Sequence, residues 1–126
     1  MYSHAATILS VNDILTSVRF YTEKLNFDCS FQWENPPTYA VLTYKDRIHL
    51  HLSLADQPIP THNPYAALYV FVEDADEVYQ SLKSKDVKIH HPIGTRDYGM
   101  RDFDILDPSG YLLTFGTSIV HNQSSD

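Results

Sequence analysis

The chain has 126 residues, and 43% of them are hydrophobic, which is enough to fill the core of one ordinary domain. Its formal net charge of -7 argues against the phosphate backbone of a nucleic acid, or an anionic membrane surface, as the natural partner. A cationic small molecule suits this charge better.

Cysteine content and the N-terminal sequence bear on the compartment. Cys29 is the only cysteine, so no internal disulfide can form and a reducing compartment is expected. We expect its side chain to be a small buried hydrophobe. The first residues lack the basic and apolar regions of a signal peptide, and no stretch approaches the ~20 apolar residues of a membrane span. The sequence therefore predicts a cytoplasmic protein with no membrane partner.

The chain begins with a predicted strand and helix. Residues 5–11 are β-prone, and Asn12-Asp13 then offers an N-cap to a helix. Asn26 should end this helix, because asparagine tolerates the left-handed conformation found at helix C-termini. The apolar residues between these limits recur at helical spacing: Ile14, Leu15, Val18, Tyr21 and Leu25.

Three strands are predicted after the helix, over 27–33, 38–44 and 47–54. The Asn35-Pro36-Pro37 break separates the first two, and a tight turn at Lys45-Asp46 separates the last two. Side chains alternate across a strand, so the first of the three should present one face made of Phe27, Cys29, Phe31 and Trp33.

A polar, proline-rich segment over 55–64 is predicted to be a linker, and the same order of elements then begins again. A second helix should start at Glu73-Asp74 and end at Asp86, with a buried face made of Val78, Tyr79 and Leu82. Strands are predicted over 66–72, 87–89, 100–106 and 111–117, with a loop from Pro92 to Gly99 and a turn at Asp107-Pro108-Ser109-Gly110. Residues 118–126 read as a flexible tail.

These elements predict one α+β domain over 1–126, made of two βαβββ repeats over about 5–54 and 65–117. Val11-Asn12-Asp13 at the start of the first helix matches Val72-Glu73-Asp74 at the start of the second. The repeats should form a curved, mostly antiparallel sheet, with helices on one face and a concave ligand groove on the other.

Several motifs carry a resemblance to a known family over nearly the whole chain. They are Val11-Asn12-Asp13, Phe20-Tyr21, Leu25-Asn26-Phe27, the run from Tyr98 to Phe103, and the run from Asp107 to Phe115. With them the chain resembles the vicinal oxygen chelate superfamily of glyoxalases, bleomycin-resistance proteins and extradiol dioxygenases. The run from Arg47 to Ser53 is most similar to the bleomycin-resistance branch, and this resemblance implies a homodimer.

The same motifs have a structural interpretation. Asp13 and Asp74 serve as N-caps, and Asp107 to Gly110 is a turn that many hairpins use. Arg101 and Asp102 could equally form a surface ion pair worth less than ~1 kcal/mol.

The resemblance also implies where a metal would bind. Enzymes of this superfamily hold a divalent ion through His or Glu on the first and last strands of each repeat, and the matching positions are Ala6, His49, Ala67 and Thr114. Alanine cannot coordinate and a threonine hydroxyl is a poor sole replacement for a carboxylate, so neither a metal nor another cofactor is expected. A shifted site made of His4, His49 and His51 is the alternative. His90 and His91 should point to opposite faces and be solvated.

Candidate ligand-binding residues follow from strand alternation and from the resemblance. If His49 and Ala67 face the groove, then His51, Tyr69 and Phe71 do so too. In bleomycin-resistance proteins planar rings of the drug stack on aromatic residues, and the comparable residues here are Trp33, Tyr39 and Tyr98, with Arg101 nearby. Trp33 and Tyr39 could instead pack in the core or in a dimer interface.

Three functional hypotheses result. The first is a metal-free, non-catalytic dimeric protein that sequesters a bleomycin-like or other aromatic cation. The second is a glyoxalase- or dioxygenase-like enzyme, with a displaced metal site or with His49 or His51 as general base. The third is an assembly or sensor module whose exposed edge recognises a partner protein, although the sequence contains no motif that supports it.

Overall fold

The computed structural model describes residues 1–59 and 65–119. The chain divides into two compact units, Met1–Thr61 and His62–Asp126, called here the first and second unit. Within the described ranges no helix is both long and apolar enough to span a membrane.

The first unit is a four-stranded sheet with one helix. Its elements are β1 (Thr7–Val11), α1 (Ile14–Glu23), β2 (Asp28–Trp33), β3 (Tyr39–Tyr44) and β4 (Ile48–Leu54). The strand order is β1-β4-β3-β2, with β1 parallel to β4 and the other neighbours antiparallel.

The second unit repeats this arrangement. Its elements are β5 (Ala66–Phe71), α2 (Ala75–Ser84), β6 (Ile89–Thr95), β7 (Met100–Leu106) and β8 (Leu112–Ser118). The strand order is β5-β8-β7-β6, again with one parallel pair, β5 and β8. The α+β class and the two βαβββ units agree with the prediction, and both sheets are mixed.

Helix boundaries follow the predicted capping residues. The Asp13 side chain accepts a hydrogen bond from the Thr16 backbone N–H at 3.1 Å, and Asp74 accepts one from Glu77 at the same distance. Asn26 and Asp86, just after the two helices, have left-handed backbones with φ of 62° and 61°. These local signals fix where each helix begins and ends.

The core of each unit lies between its helix and one face of its sheet. In the first unit Tyr21 of α1 is fully buried, and so are alternate residues of β3 and β4, which are Ala40, Leu42, Leu50 and Leu52. In the second, Phe103 stacks on Phe115 and meets Tyr79 of α2 edge to face. We call the other side of each sheet its helix-free face. In the second unit it carries Tyr69, Phe71, Asp102, Asp104, Thr114 and Gly116.

A bulge in β2 overturns the predicted face of that strand. The register shifts between Cys29 and Phe31, so Cys29 lies opposite buried Leu42, whereas Phe31 lies opposite Val41 on the helix-free face. Phe27, Cys29, Phe31 and Trp33 therefore do not share one face, because an extra residue reverses the alternation. The prediction of a fully buried Cys29 is also wrong, since its side chain is half-exposed.

A longer β6 is the second departure from the prediction. The strand runs over Ile89–Thr95, where a short strand and a loop were predicted. Pro92 is tolerated because β6 is an edge strand with two register shifts. The same irregularity brings the His90 and His91 rings to a centroid distance of 4.4 Å, so they do not point to opposite faces.

The predicted linker and tail are only partly described. Ala55 donates its backbone N–H to the Val11 carbonyl at 2.9 Å, which ties the start of the linker to the first unit. Ser118, predicted to open the tail, is the last residue of β8. Residues 60–64 of the linker and 120–126 of the tail lie outside the described residues.

Candidate functional site

A cleft of about 390 Å³ opens on the helix-free face of the second sheet. All four strands and the loop between β6 and β7 contribute to it. The lining side chains combine aromatic rings with two carboxylates, and they are Ala66, Tyr69, His91, Arg96, Tyr98, Asp102, Asp104 and Thr114.

The Asp102 carboxylate organises this cleft. It accepts hydrogen bonds from Arg96 Nε at 2.7 Å, from the Tyr69 hydroxyl at 2.8 Å and from the Tyr98 hydroxyl at 2.5 Å. Arg96 also donates through Nη2 to the carbonyls of Asp102 and Pro92, both at 3.0 Å. Because Asp102 is only 3% exposed, these donors are needed to offset the loss of its hydration.

The same network sets the charge state of its members. Burial raises the pKa of Asp102, but hydrogen bonds from Tyr98, Arg96 and Tyr69 outweigh it and hold the pKa below its ordinary value. Burial, followed by the hydrogen bond to Asp102, raises the pKa of Tyr69. For Tyr98 the hydrogen bond to Asp102 is the main cause of a raised pKa. The carboxylate is therefore an anion and both phenols are protonated at neutral pH.

Asp104, the next residue of β7 on this face, has a different environment. It accepts a hydrogen bond from the His91 backbone N–H at 2.8 Å, and the His91 Nδ1 lies 2.9 Å from both carboxylate oxygens. Among the described residues Asp104 forms no ion pair with an arginine or lysine, although Arg96 is near enough for a weaker charge interaction. Because the charges of Asp102 and Arg96 cancel, Asp104 leaves the cleft with a net negative charge.

Gly116 makes room for this arrangement. It lies opposite Asp102 in the sheet, and the Tyr69 side chain passes over it. A Cβ at this position would lie 2.1 Å from the Tyr69 hydroxyl oxygen and 2.9 Å from the Asp102 Cβ. Only glycine fits here without displacing Tyr69, in keeping with glycine inside a strand as a mark of close approach.

The predicted second-unit residues are only partly brought together. Tyr69 and Tyr98 line the cleft, and Phe71 lies beside Tyr69 with a ring-centroid distance of 4.9 Å. Arg101 points away, and its guanidinium makes two hydrogen bonds to Asp76 at 2.8 and 2.9 Å. The predicted Arg101–Asp102 pair is wrong, because successive strand residues point to opposite faces.

Sequence reasoning missed the four charged or imidazole side chains that line this cleft: His91, Arg96, Asp102 and Asp104. Glycine within a predicted strand was the one available signal, at Gly116, that another group approaches the backbone closely.

The predicted first-unit residues form a separate group on the helix-free face of the first sheet. The Tyr39 hydroxyl lies 2.7 Å from His51 Nδ1, and the His49 ring packs on His4 with centroids 4.3 Å apart. Trp33 lies opposite Tyr39 and is 57% exposed, so the alternative prediction that it packs in the core is wrong.

The register corrects the predicted metal positions. Ile8 lies opposite His51 and Tyr69 lies opposite Thr114, and both Ile8 and Tyr69 precede the N-cap aspartate of their unit by five positions. His51, not His49, is therefore the counterpart of Thr114.

Of the four positions that the resemblance assigns to a metal, only the histidine position offers a good ligand, and one histidine does not hold a divalent ion. Ala6 and Ala67 offer no donor, and Thr114 offers a neutral hydroxyl. Across the described ranges, no three His, Cys, Asp or Glu side chains are grouped so that they could hold a metal. The alternative site of His4, His49 and His51 is therefore not formed.

Two comparisons with known proteins agree on the relatives of this chain. The family model described as "Glyoxalase/Bleomycin resistance protein/Dioxygenase superfamily" matches residues 2–115. A bleomycin resistance protein from Geobacillus stearothermophilus is 30% identical over 123 residues, covering 85% of this chain and 90% of that protein.

Two solved structures show the same fold at lower identity. The bleomycin-binding protein of Streptomyces verticillus, complexed with copper(II)-bleomycin, has a TM-score of 0.70 at 22% identity, covering 91% of this chain and 95% of that one. A fosfomycin resistance protein from Listeria monocytogenes has a TM-score of 0.74 at 13% identity, covering 94% of each chain.

Gly116→Ala should destabilise the second unit by about 1–3 kcal/mol, because the new methyl group displaces Tyr69. Urea unfolding measures this change. In a Tyr69→Ala background, where the hydroxyl is gone, the same substitution should cost clearly less. Equal costs in the two backgrounds would contradict the packing of Tyr69 over Gly116.

Tyrosine ionisation followed by ultraviolet absorbance should show the phenols of Tyr69 and Tyr98 titrating above the ordinary tyrosine range. Tyr69→Phe and Tyr98→Phe should each remove one late phenol. Because the pKa of each of these phenols is higher in the folded than in the unfolded protein, both stabilise the fold below the unfolded-state pKa of about 10. This stabilisation is lost as the pH rises further. The lowered pKa of Asp102 contributes stability above about pH 4 that is lost on acidification. An unchanged late phase in both variants would refute the hydrogen-bond network.

Proposed function

We propose, since the chain belongs to the glyoxalase/bleomycin resistance protein/dioxygenase superfamily, that it binds an aromatic, cationic small molecule and sequesters it without converting it. The observation that carries this proposal is the cleft of the second unit, in which aromatic rings lie beside a carboxylate, Asp104, that forms no ion pair with a described arginine or lysine. A cleft of about 390 Å³ suits a small ligand or one end of a larger one.

Charge supports a cationic ligand. The whole chain carries a formal charge of -7, and the cleft itself is acidic because Arg96 is engaged by Asp102. Long-range attraction of this kind raises the local concentration and the association rate of a cation.

Aromatic exposure supports a planar ligand. Tyr98 is 66% exposed at the cleft and Phe71 is 75% exposed beside Tyr69, so both rings are open to stacking. Stacking and cation–π contacts contribute about 0.5–2 kcal/mol each.

The relatives support the bleomycin class. The Geobacillus protein named for bleomycin resistance covers most of the chain at 30% identity. The alanines at positions 6 and 67 favour binding over metal-dependent catalysis, since they supply no ligand to an ion. Bleomycin is thus the first compound to test.

The homodimer, its concave groove and the cytoplasmic location remain parts of the proposal. Trp33 and Tyr39 of the first unit would add a second stacking surface, and His49 and His51 would add polar contacts. The lone, half-exposed Cys29 fits a reducing compartment.

The alternative function is that of an enzyme, and one contact favours it. The Tyr39 hydroxyl holds the His51 ring at 2.7 Å, an arrangement that could orient a general base. If the protein is a metal enzyme instead, protein purified without a histidine tag should contain about one equivalent of nickel, zinc, manganese or iron. We expect less than a tenth of an equivalent.

Isothermal calorimetry with metal-free and copper-loaded bleomycin tests the binding proposal. We expect binding at micromolar concentration, weakened about fivefold by Tyr98→Ala because a stacking ring is lost. Tyr98→Phe keeps the ring and serves as the matched control, with an affinity within about twofold of the unmodified protein. No heat of binding at high micromolar concentration would rule out the bleomycin assignment.

A further inference from the structure

We propose that Asp104 is the residue of this cleft that selects the ligand's cation, and that it selects an amidinium or guanidinium group, which displaces the His91 ring. This inference rests on the proposed binding function and deepens it, because it names the cationic group and the carboxylate that receives it.

Asp102 is not available for this role. Three side-chain donors occupy its carboxylate, and the Arg96 guanidinium already balances its charge. A ligand cation at Asp102 would have to displace a bonded arginine from a site that is almost fully buried. The other carboxylate of the cleft is the better acceptor.

The Asp104 carboxylate is largely shielded from solvent, and the His91 ring bonded to it can be displaced. Its side chain is 13% exposed, so solvent screens its charge only weakly, whereas the His91 side chain is 60% exposed at the rim. The imidazole is hydrogen-bonded through Nδ1 alone and also packs on the exposed His90 ring, so moving it into solvent breaks no other described hydrogen bond. The backbone N–H of His91 continues to orient the carboxylate at 2.8 Å after the ring has left.

The geometry of this contact points to a forked donor. A carboxylate only accepts hydrogen bonds, so His91 Nδ1 carries the proton and shares it between two oxygens, each 2.9 Å away. An amidinium or guanidinium offers two parallel N–H groups, one for each oxygen, together with a full positive charge. It therefore replaces one shared hydrogen bond with two charge-assisted ones.

The walls of the cleft fit the planar body of such a ligand. Tyr69 and Tyr98 line the same cleft as Asp104, and Thr114 lies opposite Asp104 in the sheet. An aryl amidinium could place its ring against these phenols while its cation meets Asp104. A quaternary ammonium ion has no N–H donor, so at this position it is attracted to the carboxylate by its charge but forms no hydrogen bond with it.

Three small probes of similar size separate these contributions. Benzamidine carries charge and a forked donor, phenyltrimethylammonium carries charge alone, and benzamide is the neutral isostere. Binding of each to the full chain is measured by NMR chemical-shift titration. We expect benzamidine to bind about tenfold more tightly than benzamide, with phenyltrimethylammonium in between.

Matched variants assign the effect to one carboxylate. Asp104→Asn should weaken benzamidine about tenfold and leave benzamide unchanged, because only the charge is removed. Asp97→Asn makes the same change at an exposed neighbour outside the cleft lining and should leave both affinities within about twofold. His91→Ala removes the competing ring and should strengthen benzamidine binding a few-fold.

The outcomes separate this inference from the proposed function. Equal affinities of the unmodified protein for benzamidine and benzamide would overturn the inference, even if bleomycin binds. Equal weakening of benzamidine by Asp104→Asn and Asp97→Asn would also overturn it. Selective loss in Asp104→Asn alone supports it, and this result stands even if the chain fails to bind bleomycin.

Discussion

A charged carboxylate that is almost wholly excluded from solvent must find donors within the protein, and Asp102 finds three of them on two segments. Tyr69 comes from β5, and Arg96 and Tyr98 come from the loop before β7. Gly116 leaves space for the Tyr69 side chain to reach it. The cleft therefore takes its shape from one buried charge, and its remaining acidity comes from Asp104.

Local signals in the sequence predicted the elements of the fold well. Aspartate N-caps, left-handed residues after each helix and the Asp107 to Gly110 turn each act within a few residues, so they can be recognised without tertiary information. The errors arose at bulges. A single extra residue near Ser30 reversed the faces of β2, and nothing in its local sequence marks that position.

The site was harder to predict because its contacts cross strands. Tyr69 could be selected from strand alternation and Tyr98 from the family resemblance, but the donors of Asp102 depend on register and loop conformation. Arg101 illustrates the difficulty, since it stands next to Asp102 in sequence yet reaches Asp76 on the opposite side of the sheet. The strand register likewise shows that His51, and not His49, is the first-unit counterpart of Thr114.

The cleft organised by Asp102 is the proposed binding site of the ligand. Amide chemical-shift mapping with metal-free bleomycin tests it most directly, because the map locates the ligand independently of affinity. If the ligand binds there, the largest shifts will fall on Tyr69, His91, Asp104 and Thr114 and on the loop from Arg96 to Gly99. Saturable shifts confined to the first unit, with these amides unmoved, would contradict it.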